Sequence, residues 1–310
     1  MTIALLFPGQ GSQFVGMGKD YYDRYESAKS VYKELDLALN RPLSDLIFSG
    51  SEADMSLTTN SQPSIMATSI AILRSIQSEE LIDMSDIKFV AGHSLGEYSS
   101  LVATDSLDFS DAVKLLKVRS EAMQESMPVG TGGMAALIGV SLEQITEILP
   151  ELNKQGKIYI ANDNANGQIV VSGEISAIDY ICNSSKQYKI KRAIKLPVSA
   201  PFHCELIHSA AIRLKNEVEN YHFKDFKFPL VSNVDAKPCT ADTIQSLLVD
   251  QVVSRVRWRE TLEYMISQKI TTFIEIGPGN VLTNLVKRVN GTLNAISISK
   301  LDDLNKLKEI

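Results

Sequence analysis

The five residues Gly92-His93-Ser94-Leu95-Gly96 constrain this chain more than any other stretch. They follow the apolar run Ile87-Lys88-Phe89-Val90-Ala91 and precede Glu97-Tyr98, where a helix is expected to begin. Gly-x-Ser-x-Gly between a strand and a helix predicts a tight turn. Its glycines let the backbone close on itself, and its serine hydroxyl stands above the sheet edge. The plainer reading is a glycine-rich βα turn with Ser94 as a helix cap. Further strands are expected over residues 2–7, 228–234, 269–276 and 293–298, with helical periodicity between them. Strands alternating with helices predict an α/β fold with an open, mostly parallel sheet and a site at the carboxyl ends of its strands.

Gly130-Thr131-Gly132-Gly133 breaks that pattern. After it come strands over 134–140, 157–161, 168–172 and 190–196. One helix starts at Ser141, with Gln144 placed for a capping box, and another runs from Glu174 to about Lys186. Asn162 to Gly167 reads as a turn-rich connection. The order β-α-β-β-α-β is the split arrangement of ferredoxin-like units. The expected organisation is therefore a large subdomain in two segments, 1–128 and 198–310, with a small ferredoxin-like subdomain, 129–197, inserted between them.

With a formal charge of −6, the chain has no basic excess to offset phosphate, so a nucleic-acid binder is not expected. No apolar stretch approaches the ~20 residues that cross a bilayer, so neither is a membrane protein. Met1 to Phe7 reads as a first strand rather than a signal peptide. Cys182, Cys204 and Cys239 are widely spaced. They suggest a reducing, cytoplasmic setting with neither a disulfide framework nor a zinc site, and no metal is expected. Gly9 and Gly11 suggest a nucleotide loop, but Gly16 lies too far on and no Gly-Lys-Ser/Thr follows. Such a turn can still aim backbone N–H groups into a cleft.

A serine nucleophile needs a base. The chain has four histidines. His93 adjoins the serine, so its side chain should point away. His208 lies along a helix, and His222 sits in a polar-aromatic stretch. His203, at a loop-to-helix entrance, is the remaining partner. Backbone donors near Gln10 and Leu95 are candidates for an oxyanion hole. No late histidine follows in the order that Ser-Asp-His hydrolases use. Cys204 is a weak rival nucleophile because it adjoins His203.

Two features stay open on residues alone. Arg119 sits on the apolar stripe Ala112, Leu115, Leu116, Ala122 and Met123. It either snorkels or makes a structural ion pair, or it is a planar fork awaiting a substrate carboxylate. Lys186, Lys189, Lys191, Arg192 and Lys195 form a basic cluster that is either a solvated strand or a docking patch for an acidic partner.

Taken together, Phe7-Pro8-Gly9-Gln10-Gly11-Ser12-Gln13, Gly92 to Tyr98, Arg119, Gly167 to Gly173, Pro201-Phe202-His203-Cys204, Gln251 and Glu275-Ile276-Gly277-Pro278-Gly279 resemble the bacterial malonyl-CoA:acyl carrier protein transacylases. The resemblance covers essentially the whole chain. It implies an α/β-hydrolase-like large subdomain with a ferredoxin-like small one. It implies ping-pong acyl transfer from a coenzyme A thioester through Ser94 to the phosphopantetheine thiol of acyl carrier protein, with no separate cofactor. His203 would be the base, oriented by the Gln251 backbone carbonyl in place of a triad carboxylate. Arg119 would grip the malonyl carboxylate, Gln10 and Leu95 would supply oxyanion-hole N–H groups, and Asn162 is a candidate cleft-lining residue. The chain departs from the family between Gln251 and Trp258, where an Asn-Pro or Ser-Pro pair is common. A malonyl transferase serving a polyketide synthase would carry the same residues, and a serine thioesterase or other hydrolase is the rival of another class.

Overall fold

The computed structural model describes residues 1–198 and 200–309. Its first sheet contains β1 (Ile3–Phe7), β2 (Ile87–Gly92), β7 (Thr272–Ile276) and β8 (Asn294–Ile298), in the order β2-β1-β7-β8. All three pairings are parallel. A parallel sheet is covered on both faces, and its central strand β1 is accordingly apolar and buried throughout. In β1, Ile3, Leu5 and Phe7 enter one core cluster, while Ala4 and Leu6 enter the cluster on the other face.

The second sheet is built from chain lying between β2 and β7. It contains β3 (Gly132–Ile138), β4 (Ile158–Ala165), β5 (Gln168–Glu174) and β6 (Arg192–Lys195), ordered β4-β5-β3-β6 and antiparallel throughout. The Leu142–Leu152 and Ile175–Ser184 helices connect its strands and close a separate core around Ile145, Ile178 and Ile181. The fold is thus α/β, with a parallel main sheet and a small ferredoxin-like sheet inserted in the chain.

Several local expectations shift. The capping of the Leu142–Leu152 helix by Ser141 Oγ, which accepts from the Gln144 N–H, is present. The helix that carries Arg119 spans Phe109–Glu125, with Asp108 at its N-cap position. β4 continues through Asn162, Asp163 and Asn164 to Ala165, leaving only Asn166-Gly167 to turn, because Val170, Ile169 and Gln168 on β5 offer it a ladder. The strand expected over 228–234 shrinks to single bridges, Val90 to Leu230 and Val231 to Pro238. Proline at 229 carries no N–H for a ladder, and the chain beyond Val231 leaves the sheet to take Asn233 to the turn after β2.

The two sheets are tied together at β4. Val256 donates to Ala161 O at 2.8 Å, and Asp163 donates to Val256 O at 3.0 Å. Arg259 adds a charged clamp on the buried Asp163 carboxylate, with Nη2 2.8 Å from Oδ2. The junction holds a cavity of about 170 Å³, lined on one side by Gln10, Gln62 and Ser94 and on the other by Met134, Asn162 and Leu196.

Candidate active site

β2 ends at Gly92, and the Gly96–Ala103 helix starts four residues later. Two close backbone approaches make this turn possible. A Cβ on Gly92 would lie 1.9 Å from the Gly96 carbonyl, and one on Gly96 would lie 2.3 Å from Phe7 O. Between them Ser94 takes φ 54°, in the left-handed region that costs a residue with a Cβ energy. Asn233 braces the turn. Its Oδ1 accepts from the Ser94 N–H at 2.7 Å, and its Nδ2 donates to Gly92 O at 2.7 Å.

Ser94 Oγ lies 2.8 Å from His203 Nε2, and His203 Nδ1 lies 2.8 Å from the Gln251 backbone oxygen. A carbonyl only accepts, so Nδ1 carries the proton and Nε2 is left to accept from the serine. Gln251 can offer its carbonyl because it stands two residues from the end of the Ala241–Val253 helix, where the last carbonyls lack intrahelical partners. The missing proline between 251 and 258 therefore does not move the carbonyl out of reach. His203 also has a left-handed backbone, φ 59°. Burial, reinforced by the nearby Arg119 charge, pushes its imidazole down to about 3, so the ring is neutral at neutral pH.

Arg119 is 1% exposed. Its Nη1 donates to Gln62 Oε1 at 2.7 Å, and its Nη2 donates to Gln251 Oε1 at 2.8 Å and to Ser94 Oγ at 3.0 Å. The guanidinium stands 5.7 Å from the centre of the Tyr98 ring. Among the described residues it makes no salt bridge, and its Nε has no partner. At 1% exposure Arg119 does not snorkel, and its direct partners are Gln62, Gln251 and Ser94 rather than a carboxylate. A buried planar cation with one unpartnered donor, set against a serine oxygen, could receive an anion.

The amides of Gln10 and Leu95 have no hydrogen-bond partner among the described residues. Leu95 lies at the N-terminus of the Gly96–Ala103 helix, where unpaired N–H groups favour developing negative charge. Gln10, on the loop after β1, lines the cavity. Asn162, 6% exposed on β4, lines its far wall. His93 also borders the cavity, but its Nε2 is held by Asn164 Oδ1 at 2.8 Å and its ring meets Trp258 edge-on. His208 and His222 are exposed and stand outside this cluster. Cys204 is buried, its Sγ 3.1 Å from Pro201 O, and burial raises its thiol.

Sequence reasoning missed four residues here. Gln62 and Glu97 lay inside a helical stripe and the serine motif, where polarity on a buried face was the available signal. Asn233 and Asn164 gave none, because they act across 139 and 71 residues of chain. The Gln251 side chain was missed as well, although its interruption of an apolar helix face was visible.

Among the described residues no group of three or more His, Cys, Asp or Glu is arranged to hold a metal ion. No helix among them is long and apolar enough to cross a membrane.

The acyl transferase domain family model matches residues 4–300. A malonyl CoA-acyl carrier protein transacylase of Bacillus subtilis (strain 168) is 43% identical over 299 residues, covering 96% of this chain and 93% of the relative. The chain belongs to the malonyl CoA-acyl carrier protein transacylase family. The transacylase fold extends to its ends. The crystal structure of an acyl-carrier-protein-S-malonyltransferase from Bartonella henselae superposes with a TM-score of 0.96 at 42% identity, covering 100% of this chain and 99% of that one. A further transacylase, solved in complex with a type II PKS acyl-carrier protein, matches with a TM-score of 0.95 at 37% identity, with the same coverage.

Proposed function

We propose that this chain moves a malonyl group from malonyl-CoA to the phosphopantetheine thiol of an acyl carrier protein, through a malonyl ester on Ser94, for fatty acid biosynthesis. His203 takes the Ser94 proton and passes it to the departing coenzyme A sulfur, which leaves as the thiol, and the steps reverse when the carrier thiol attacks. The Gln251 carbonyl keeps His203 in the tautomer that accepts from serine. The Gln10 and Leu95 amides receive the oxyanion. Arg119 receives the free carboxylate of the three-carbon acyl group, and Asn162 lines the acyl cleft.

The observation that carries this reading is the buried Arg119 guanidinium, 3.0 Å from Ser94 Oγ and in direct contact with no carboxylate among the described residues. An ester formed on that oxygen has its terminal carboxylate beside the fork. A simple hydrolase has no use for a buried cation there. We further propose a cytoplasmic setting, and subdomain junctions at 128/129 and 197/198. The same chemistry serves polyketide assembly, a second reading favoured only by the matched transacylase solved with a PKS carrier.

Intact-protein mass spectrometry after acid quench tests the proposal. Malonyl-CoA should add about 86 Da to the parent chain, the mass of a malonyl ester, and nothing to Ser94→Ala. An unmodified parent that still charges a carrier protein would refute it.

A further inference from the structure

The mechanism leaves several buried ionisable groups unused, and one of them adjoins the site. Glu97, on the helix that follows the nucleophile, is 0% exposed. Its Oε1 accepts from the Asn233 N–H at 3.0 Å, and its Oε2 accepts from Gln251 Nε2. The other end of that same amide, Gln251 Oε1, accepts from Arg119 Nη2 at 2.8 Å. With a guanidinium on one side and a carboxylate on the other, only one orientation of the amide satisfies both neighbours. One side-chain amide therefore joins a buried anion to a buried cation that, among the described residues, touches no carboxylate directly.

We propose that Glu97 is the resting counter-charge of Arg119, connected through the Gln251 side chain, and that Glu97 takes up a proton when a substrate carboxylate settles on Arg119. This rests on the transacylase reading of the site. A buried cation is tolerated only when compensated. Before substrate arrives, Glu97 compensates it. Once the malonyl carboxylate sits on the fork, two anions would face one cation. The carboxylate farther from the guanidinium and without solvent then becomes neutral.

The groups around Glu97 agree. Burial already pushes its carboxyl up to about 7, against the opposing hydrogen bonds from Asn233 and Gln251 and the charge of Arg119. Asp235 raises it further. Tyr98 and Cys239, the other titratable groups facing it, are themselves pushed up by burial and stay neutral. Among the described residues Arg119 is thus the one cation holding Glu97 ionised, and a substrate carboxylate cancels it.

The transfer itself is proton-neutral. Ser94 loses a proton, the ester C–O bond forms, the thioester C–S bond breaks, and coenzyme A leaves as a thiol below its titration near ~8.5. Any net uptake therefore comes from the buffer to the protein. The experiment is acylation of the full chain by malonyl-CoA at about pH 7.5, with a weakly buffered indicator dye reporting protons and acid-quenched intact mass reporting the ester. Uptake should approach ~1 proton per malonyl ester. Acetyl-CoA, which brings no carboxylate, should form its ester without uptake, and Glu97→Gln should be malonylated without uptake. In the parent chain alone, uptake should grow as pH rises from about 6 to 7.5, because more Glu97 is ionised beforehand. That measurement decides the matter if the variant does not fold. A malonyl ester formed without uptake overturns this inference and leaves the transacylase reading intact. Uptake undiminished in Glu97→Gln overturns it too. Absence of any ester overturns both.

Discussion

Gln251 serves His203 and Arg119 with different atoms: its backbone oxygen lies 2.8 Å from His203 Nδ1, while its side-chain oxygen lies 2.8 Å from Arg119 Nη2. The two roles are separable by mutation. Gln251→Ala keeps the carbonyl and loses the amide. Malonyl acylation of Ser94 should fall roughly 10–100-fold, while acetyl acylation stays within about threefold. His203→Ala should slow both by roughly 10²–10⁴-fold. Quenched-flow mass spectrometry with each thioester reads the contrast, and a Gln251→Ala variant that slowed both acyl groups equally would contradict it.

Arg119→Ala should lower malonyl acylation by roughly 10²–10³-fold and abolish the preference for malonyl over acetyl. Arg119→Lys should recover little, because an ammonium cannot reproduce donors to Gln62, Gln251 and Ser94 from one planar group. The malonyl-to-acetyl ratio of acylation rates is the measurement.

The depressed His203 predicts an unusual pH profile. An exposed histidine base loses activity below about 6.5. Burial and the Arg119 charge bring His203 to about 3, so acylation should show no inflection at 6.5 that follows this residue. The same shift bears on stability. A folded value below the unfolded one gives a contribution present above about 6.5 and lost as pH falls toward 3. Acetyl acylation rates between about pH 5 and 8 check the catalytic half, and urea denaturation over the same range checks the other.

Gly92→Ala places a Cβ 1.9 Å from the Gly96 carbonyl and 2.4 Å from Glu97 N, backbone atoms with no flexible side chain to yield. The turn must open or the fold must fail. The expected outcome is a fall in Tm of more than about 10 °C together with loss of Ser94 acylation. Differential scanning fluorimetry is sufficient to test it.

Asp163→Ala leaves Arg259 with Glu263 alone and removes the buried half of the clamp between β4 and the Trp258–Ser267 helix. Breaking a buried pair in this way typically costs about 3–5 kcal/mol, and the partner's second carboxylate should bring the loss toward the lower end. Urea denaturation should show the midpoint falling, with the slope unchanged.

The local content of the chain settled its elements and their chemistry. Apolar residues on both faces of β1 require a covered parallel sheet, and the Gly130 break separates the second sheet because periodicity changes there. Gly92 and Gly96 frame a serine because only glycine survives those backbone contacts. The deepest errors came where a partner lies far along the chain. Residues 228–234 look like a strand by composition, yet the chain turns away so that Asn233 can brace a turn 139 residues earlier.

What tertiary structure alone decided was which polar side chains share one buried space. Arg119 on an apolar stripe is equally consistent in sequence with a snorkelling cation and a ligand-binding one. The difference lies in Gln62, Ser94 and Gln251 arriving from three separate elements with no carboxylate among them. Hydrogen bonding acts over about 3 Å in space and takes no account of distance along the chain. Sequence periodicity can therefore say that a residue is buried, but not what it is buried against.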